Sequence, residues 1–106
     1  MDDKLRAIMS ELRDSLGELY GPRLVKLLLY GSQARGDADP GSDIDVLVVL
    51  DGEVNPGLEI ARTEFDVADL SLRHGVAIAC VFYSREQFER EQSPLLMNVR
   101  REGIAL

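Results

Sequence analysis

The chain has 106 residues, 45% of them hydrophobic, enough for one core and one expected domain. Its 12 basic against 19 acidic residues give a net charge of −7; without a basic stripe this argues against direct nucleic-acid binding and suits a basic protein partner. No apolar run nears the roughly 20 residues of a membrane span, the start lacks a signal-peptide pattern, and a lone Cys80 excludes an internal disulfide or Cys-rich zinc site, so a cytoplasmic protein is expected.

Residues 3–20 carry Leu5, Ile8, Met9, Leu12, Leu16 and Leu19 at intervals of three and four, which predicts an amphipathic helix ended by Gly21-Pro22. Leu24 to Tyr30 read as a first strand that delivers Gly31-Ser32, with a short helix through Gln33 to Arg35. The stretch Gly36-Asp37-Ala38-Asp39-Pro40-Gly41-Ser42 is dense in turn formers, and Asp37 and Asp39 are read as solvated turn residues. Ile44 to Leu50 form a second strand, apolar on both faces after Asp45 and therefore central. Asn55-Pro56 resembles a cap and first-turn proline opening a helix over 56–73, with Leu58, Ala61, Phe65, Ala68 and Leu72 as the expected core stripe and Glu59, Glu64, Asp66 and Asp69 on a solvated face. Val76 to Tyr83 make a third strand, with Cys80 as a buried structural thiol. Ser84-Arg85-Glu86-Gln87 matches a capping box, and Ser93-Pro94 starts a last helix to Glu102, stopped by Gly103 before the apolar tail Ile104-Ala105-Leu106. The one histidine, His74, excludes a multi-histidine metal site and reads as a charge at a helix C-terminus. The order predicts an α/β domain, a mixed three-stranded sheet flanked by helices.

The stretch from Gly31 to Leu50 carries the chemistry. Residues i and i+2 of a strand face one side, so Asp43 and Asp45 project together, about 6.6 Å apart along the strand. Unpaired, they would repel by roughly 2–3 kcal/mol at an effective dielectric near 20; a divalent cation, or two ions spaced about 3.5–4 Å, would relieve this. At the other end Gly31 lets a ligand approach the backbone, while Ser32 and the N–H groups of the short helix face a phosphate. Together the two ends make a site for a metal–nucleoside triphosphate. Arg35 either contacts a phosphate or braces the loop.

Gly31-Ser32, ten residues, then Asp43-x-Asp45 resembles the GS-x10-DxD signature of the nucleotidyltransferase superfamily related to DNA polymerase beta. With its length, the chain looks like a minimal nucleotidyltransferase (MNT), the small antitoxin paired with a HEPN-type ribonuclease toxin. The resemblance implies a minimal nucleotidyltransferase fold and Mg²⁺ on Asp43 and Asp45, as one ion or a two-metal site. It also implies ATP held by Gly31, Ser32 and Arg35, and AMP transfer to a tyrosine hydroxyl of the toxin within a hetero-oligomer. Small-molecule-modifying relatives are longer, so a partner surface is expected to help close the site.

One departure from the family pattern stands out. Relatives carry a third carboxylate on the strand after the second long helix, and Ala79, with Ala77 second, occupies its expected position. The base is then supplied by the substrate protein, or by Asp66 or Asp69, or the domain binds nucleotide but transfers slowly or not at all. General-base assistance typically contributes about 10²–10⁴-fold, and positioning does most of the work in phosphoryl-type transfer. The alternative is a non-catalytic nucleotide-binding antitoxin that masks the toxin by contact.

Overall fold

An uninterrupted run of branched apolar residues can be fully covered only at the centre of a sheet, and Val46–Leu50 is placed there. The structure, a computed structural model, describes residues 2–39 and 41–106, so Pro40 of the turn-rich loop lies outside the described residues. In chain order the elements are α1 (Asp3–Tyr20), β1 (Leu24–Tyr30), α2 (Ser32–Arg35), β2 (Ile44–Leu50) and α3 (Pro56–His74). There follow β3 (Ile78–Ser84), α4 (Arg85–Arg90), α5 (Pro94–Glu102) and β4 (Ile104–Ala105). The sheet order is β3-β2-β1-β4, with β1 antiparallel to β2 and β4 and β2 parallel to β3. The sheet thus has four strands rather than three. The apolar tail supplies the fourth by pairing Ala105 with Leu28 and Ile104 with Leu29, which covers an edge of β1 that would otherwise be open.

Local chemistry sets the element ends. The Asp2 carboxylate accepts the Leu5 N–H at 2.7 Å to cap α1. Asn55 and Ser93 cap α3 and α5, each followed by proline. Ser84 and Gln87 form a reciprocal capping box at α4, as the sequence predicts. At the end of α3, Gly75 takes a left-handed conformation, and its N–H and that of Val76 both donate to the Ser71 carbonyl. Val76 is therefore spent on the helix exit, and β3 begins at Ile78 rather than at Val76.

Two cores sit on opposite faces of the sheet. Even-numbered residues of β2 (Ile44, Val46, Val48, Leu50) join Leu27 and Leu29 of β1 against α1 and Leu70 of α3. Odd-numbered Leu47 and Val49 join Leu28 against Phe88 of α4 and Leu96 and Val99 of α5. On the second face Phe88 has two cations over its ring, Lys26 Nζ at 5.2 Å and the Arg100 guanidinium at 5.5 Å from the ring centre.

Two expected stripes are corrected. In α1 the buried residue of the last turn is Tyr20, while Leu19 is exposed. In α3 the apolar stripe faces outward: Leu58, Ala61, Phe65, Ala68 and Leu72 are all exposed, with Phe65 at 81% and Leu72 at 83%. The inward side is Glu59, Thr63 and Leu70. Glu59, expected on a solvated face, is 2% exposed; it accepts the Tyr20 hydroxyl at 2.9 Å and pairs with Arg62 Nε at 3.3 Å. A carboxylate so satisfied can lie inside, and Thr63 follows it by donating to the Glu59 carbonyl at 2.9 Å. Once these polar groups face inward, the apolar stripe is left outside.

Candidate active site

The loop between β1 and β2 opens at the end where Tyr30 pairs with Asp45, so the start of β2 lies beside the end of β1. Asp43 precedes β2 and is exposed, whereas Asp45, its second residue, is half-buried. Strand alternation puts Asp45 on the α4–α5 face, together with Leu47 and Val49, and Asp43, two residues earlier, is near enough for its charge to act on Asp45. Burial first, then the Asp43 charge, raises the Asp45 pKa above the ordinary carboxylate value. No basic side chain forms an ion pair with Asp43 or Asp45 among the described residues.

Gly31 fits this site through close approach and backbone shape. Its φ of 75° and ψ of −156° lie in a region that side-chain-bearing residues avoid at a cost of about 1–3 kcal/mol. A Cβ at this position would stand 2.6 Å from Asp45 Oδ2. The glycine therefore lets the carboxylate tuck against the turn. From there α2 makes one turn, with the Gly31 carbonyl accepting the Ala34 and Arg35 N–H groups at 3.1 Å each. The N–H groups of Ser32 and Gln33 precede Ala34, the first N–H to donate within the turn, so this end of the loop can donate to a phosphate.

Arg35, the last residue of α2, turns toward the protein: its guanidinium pairs with Asp37 at 3.2 Å and Glu102 at 3.5 Å, which raises its pKa. It braces the loop against α5. Ion pairs this exposed are worth about 0–1 kcal/mol, so they can be exchanged for a phosphate. Gln33 adds a second brace by donating to the Ser42 carbonyl at 3.3 Å.

The parallel register places Ala79 opposite Asp45, and the Ala77 carbonyl accepts the Ile44 N–H at 2.8 Å. Both alanines are exposed. Asp66 and Asp69 lie on α3, which packs with α1 on the other face of the sheet, and Asp69 is tied to Arg73 at 3.0 Å. Neither can serve as base to Asp43 and Asp45. Burial pushes the Cys80 thiol up to about 12, which fits a structural role. Among the described residues no group of three or more His, Cys, Asp or Glu is placed to hold a metal.

The donor set still fits one kind of ion. Mg²⁺ retains several waters and is commonly held by one or two carboxylates plus substrate phosphates. A raised Asp45 next to a second carboxylate is an uncompensated negative site of that kind. Tyr30, which sequence reasoning passed over, adjoins it across the strands. Burial, then Asp45, then Tyr83 and Cys80 raise its pKa, so its hydroxyl keeps its proton. Its position immediately before Gly31, across an antiparallel turn from Asp45, was the available signal.

Comparison with known proteins agrees with this geometry. The family described as nucleotidyltransferase domain matches residues 9–102. A Methanocaldococcus jannaschii protein named as a protein adenylyltransferase is 32% identical over 99 residues, covering 92% of this chain and 93% of that protein. A solved structure described as a minimal nucleotidyltransferase has a TM-score of 0.62 at 35% identity, covering 100% of this chain and 97% of the other. A crystal structure of a toxin–antitoxin with AMP-PNP has a TM-score of 0.64 at 23% identity, covering 98% and 72%; that likeness shows the fold.

Proposed function

This chain belongs to the nucleotidyltransferase-domain family, and from that premise we propose that it is an antitoxin that transfers AMP from ATP to a tyrosine hydroxyl of a HEPN-type ribonuclease toxin and so neutralises it. The observation that supports the reading is the Asp45 carboxylate set against Gly31, with the Asp43 charge close enough to act on it. The relatives add support: one is named for protein adenylyltransferase activity, and a structural neighbour is a toxin–antitoxin with AMP-PNP. Such chemistry belongs in the cytoplasm, where ATP is available.

In the transfer, the acceptor oxygen bonds to the α-phosphorus, the bond from that phosphorus to the bridging oxygen breaks, and pyrophosphate leaves with the released electron pair. The acceptor's proton passes to a base outside strand β3, the partner protein or solvent, because Ala79 stands opposite Asp45. Gly31 gives the triphosphate access to the backbone, Ser32 and the start of α2 donate to its oxygens, and Arg35 can leave Asp37 and Glu102 to join them. Asp43 and Asp45 would hold Mg²⁺, which neutralises triphosphate charge when bound.

The decisive experiment is mass spectrometry of the co-expressed partner with ATP and Mg²⁺. AMP-sized additions on a tyrosine are expected with the native chain and none with Asp43→Asn or Asp45→Asn in folded protein. Undiminished transfer by the double variant would remove the catalytic assignment. The alanine opposite Asp45 favours a second reading, a nucleotide-binding antitoxin that neutralises by contact alone. In that case the partner is silenced while its mass is unchanged.

A further inference from the structure

The outward face of α3 has no cover among the described residues, yet its pattern is that of a buried seam. Leu58, Ala61, Phe65, Ala68 and Leu72 follow a three-four-three-four spacing, the a and d positions of a heptad, and all five are exposed. Large residues stand at every a position and alanine at every d position. Arg62 and Asp69 flank one side of this seam, and Glu64 and Ser71 flank the other.

We propose that this face docks a second copy of the chain, with the two α3 helices packed antiparallel. The size pattern selects this arrangement. In an antiparallel pair each a position faces a d position of the other helix, so Phe65 enters the space over the copy's Ala68 and Leu72 that over the copy's Ala61. A parallel pair would stack Phe65 on Phe65 and Ala68 on Ala68, leaving alternate crowding and gaps. Charge selects the same register. With Phe65 opposite Ala68, Arg62 comes beside the copy's Asp69 on one flank, and Glu64 beside the copy's Ser71 on the other. A shift of one heptad would set Arg62 against Arg62 and Glu64 against Glu64. The two-fold relation forms each favourable pair twice.

The existing ion pairs leave the seam's charges usable. Arg62 meets Glu59 most closely through Nε, and Asp69 meets Arg73 through Oδ2; the Arg62 terminal nitrogens and Asp69 Oδ1 can reach across. Because α3 packs on the sheet face opposite Asp45, the dimer leaves both active sites open.

Sedimentation of the full chain at about 0.15 M salt, where repulsion between two acidic copies is screened beyond about 8 Å, should show a monomer–dimer equilibrium. Phe65→Glu should sediment as a monomer. Asp69→Arg, which sets like charges together twice, should weaken the dimer by roughly ten- to a hundred-fold. Both should keep the native circular dichroism, since these side chains are exposed. As a test of register, an oxidised mixture of Glu64→Cys and Ser71→Cys chains, each in a Cys80→Ala background, should cross-link better than either alone. A native chain that stays monomeric at about 100 μM, or a dimer indifferent to Phe65→Glu, would overturn the proposal. Cross-linking no better in the mixture than in either chain alone would overturn the antiparallel register.

Discussion

Asp45 meets opposing demands: its place on a buried strand penalises charge, while the proposed role as a Mg²⁺ ligand beside Asp43 needs charge. Burial and the neighbouring carboxylate raise its pKa in the folded protein. The folded state therefore holds the Asp45 proton to higher pH than the unfolded chain does. The contribution of this group to stability is greatest at low pH and falls as pH rises from its ordinary carboxylate value through the raised folded one. In chelator at neutral pH, Asp45→Asn should melt above the native chain, and the gap should narrow as pH falls toward about 4, where native Asp45 regains its proton. Adding Mg²⁺ should stabilise only the native chain. Thermal melts across this range, with and without chelator, check it; a lower melting point for Asp45→Asn in chelator would contradict it.

At the scale of elements, α3 shows what its sequence can and cannot say. The period of Leu58, Ala61, Phe65, Ala68 and Leu72 identifies a helix with an apolar stripe, but period alone does not say which side the sheet covers. That depends on Tyr20, 39 residues away from Glu59 in the chain, whose hydroxyl makes an inward carboxylate tolerable. No local pattern announces such a partnership. Tyr20→Phe keeps the ring and removes the donor to Glu59, so it should lower stability by about 1.5–3 kcal/mol, the range for a hydrogen bond to a charged group. Burial raises the Tyr20 pKa, with Glu59 adding to the effect, so the donor stays protonated across the ordinary pH range. Denaturant unfolding would measure the loss; an unchanged midpoint would mean that Arg62 alone satisfies Glu59. By contrast, the short-range features were legible: the Ser84–Gln87 capping box and the Asn55-Pro56 and Ser93-Pro94 helix starts each depend on residues no more than three apart. Arg35 to Glu102, 67 residues apart, depends on the whole fold and was not.

For the whole molecule, the consequential feature is the parallel pairing of β2 with β3, because it decides which residue of a distant strand meets the carboxylates. The crossover through α3 returns the chain so that Ala79 aligns with Asp45 and Ala77 neighbours Ile44. Ala79 shares the register parity of Val81 and Tyr83, which line the α4–α5 face that also holds Asp45. An acid at Ala79 would therefore point into the site, whereas one at Ile78 or Cys80 would enter the opposite core. Lacking that acid, the free protein should transfer slowly and depend on its partner to place the acceptor hydroxyl, since orientation alone can contribute several kcal/mol, up to about 7–11 in well-aligned cases. Ala79→Asp tests this directly. Position 79 is exposed, so a carboxylate there can stay hydrated in the absence of metal. The expected outcome is tighter Mg²⁺ binding by calorimetry, with a rate gain within the roughly 10²–10⁴-fold range of general-base assistance. The Cys80→Asp chain, displaced by one residue to the wrong face, should show neither gain and should be destabilised. If Ala79→Asp folds normally yet leaves Mg²⁺ affinity and transfer rate unchanged, the site does not lack a ligand at this position, and the partner's role must be sought in something other than the missing carboxylate.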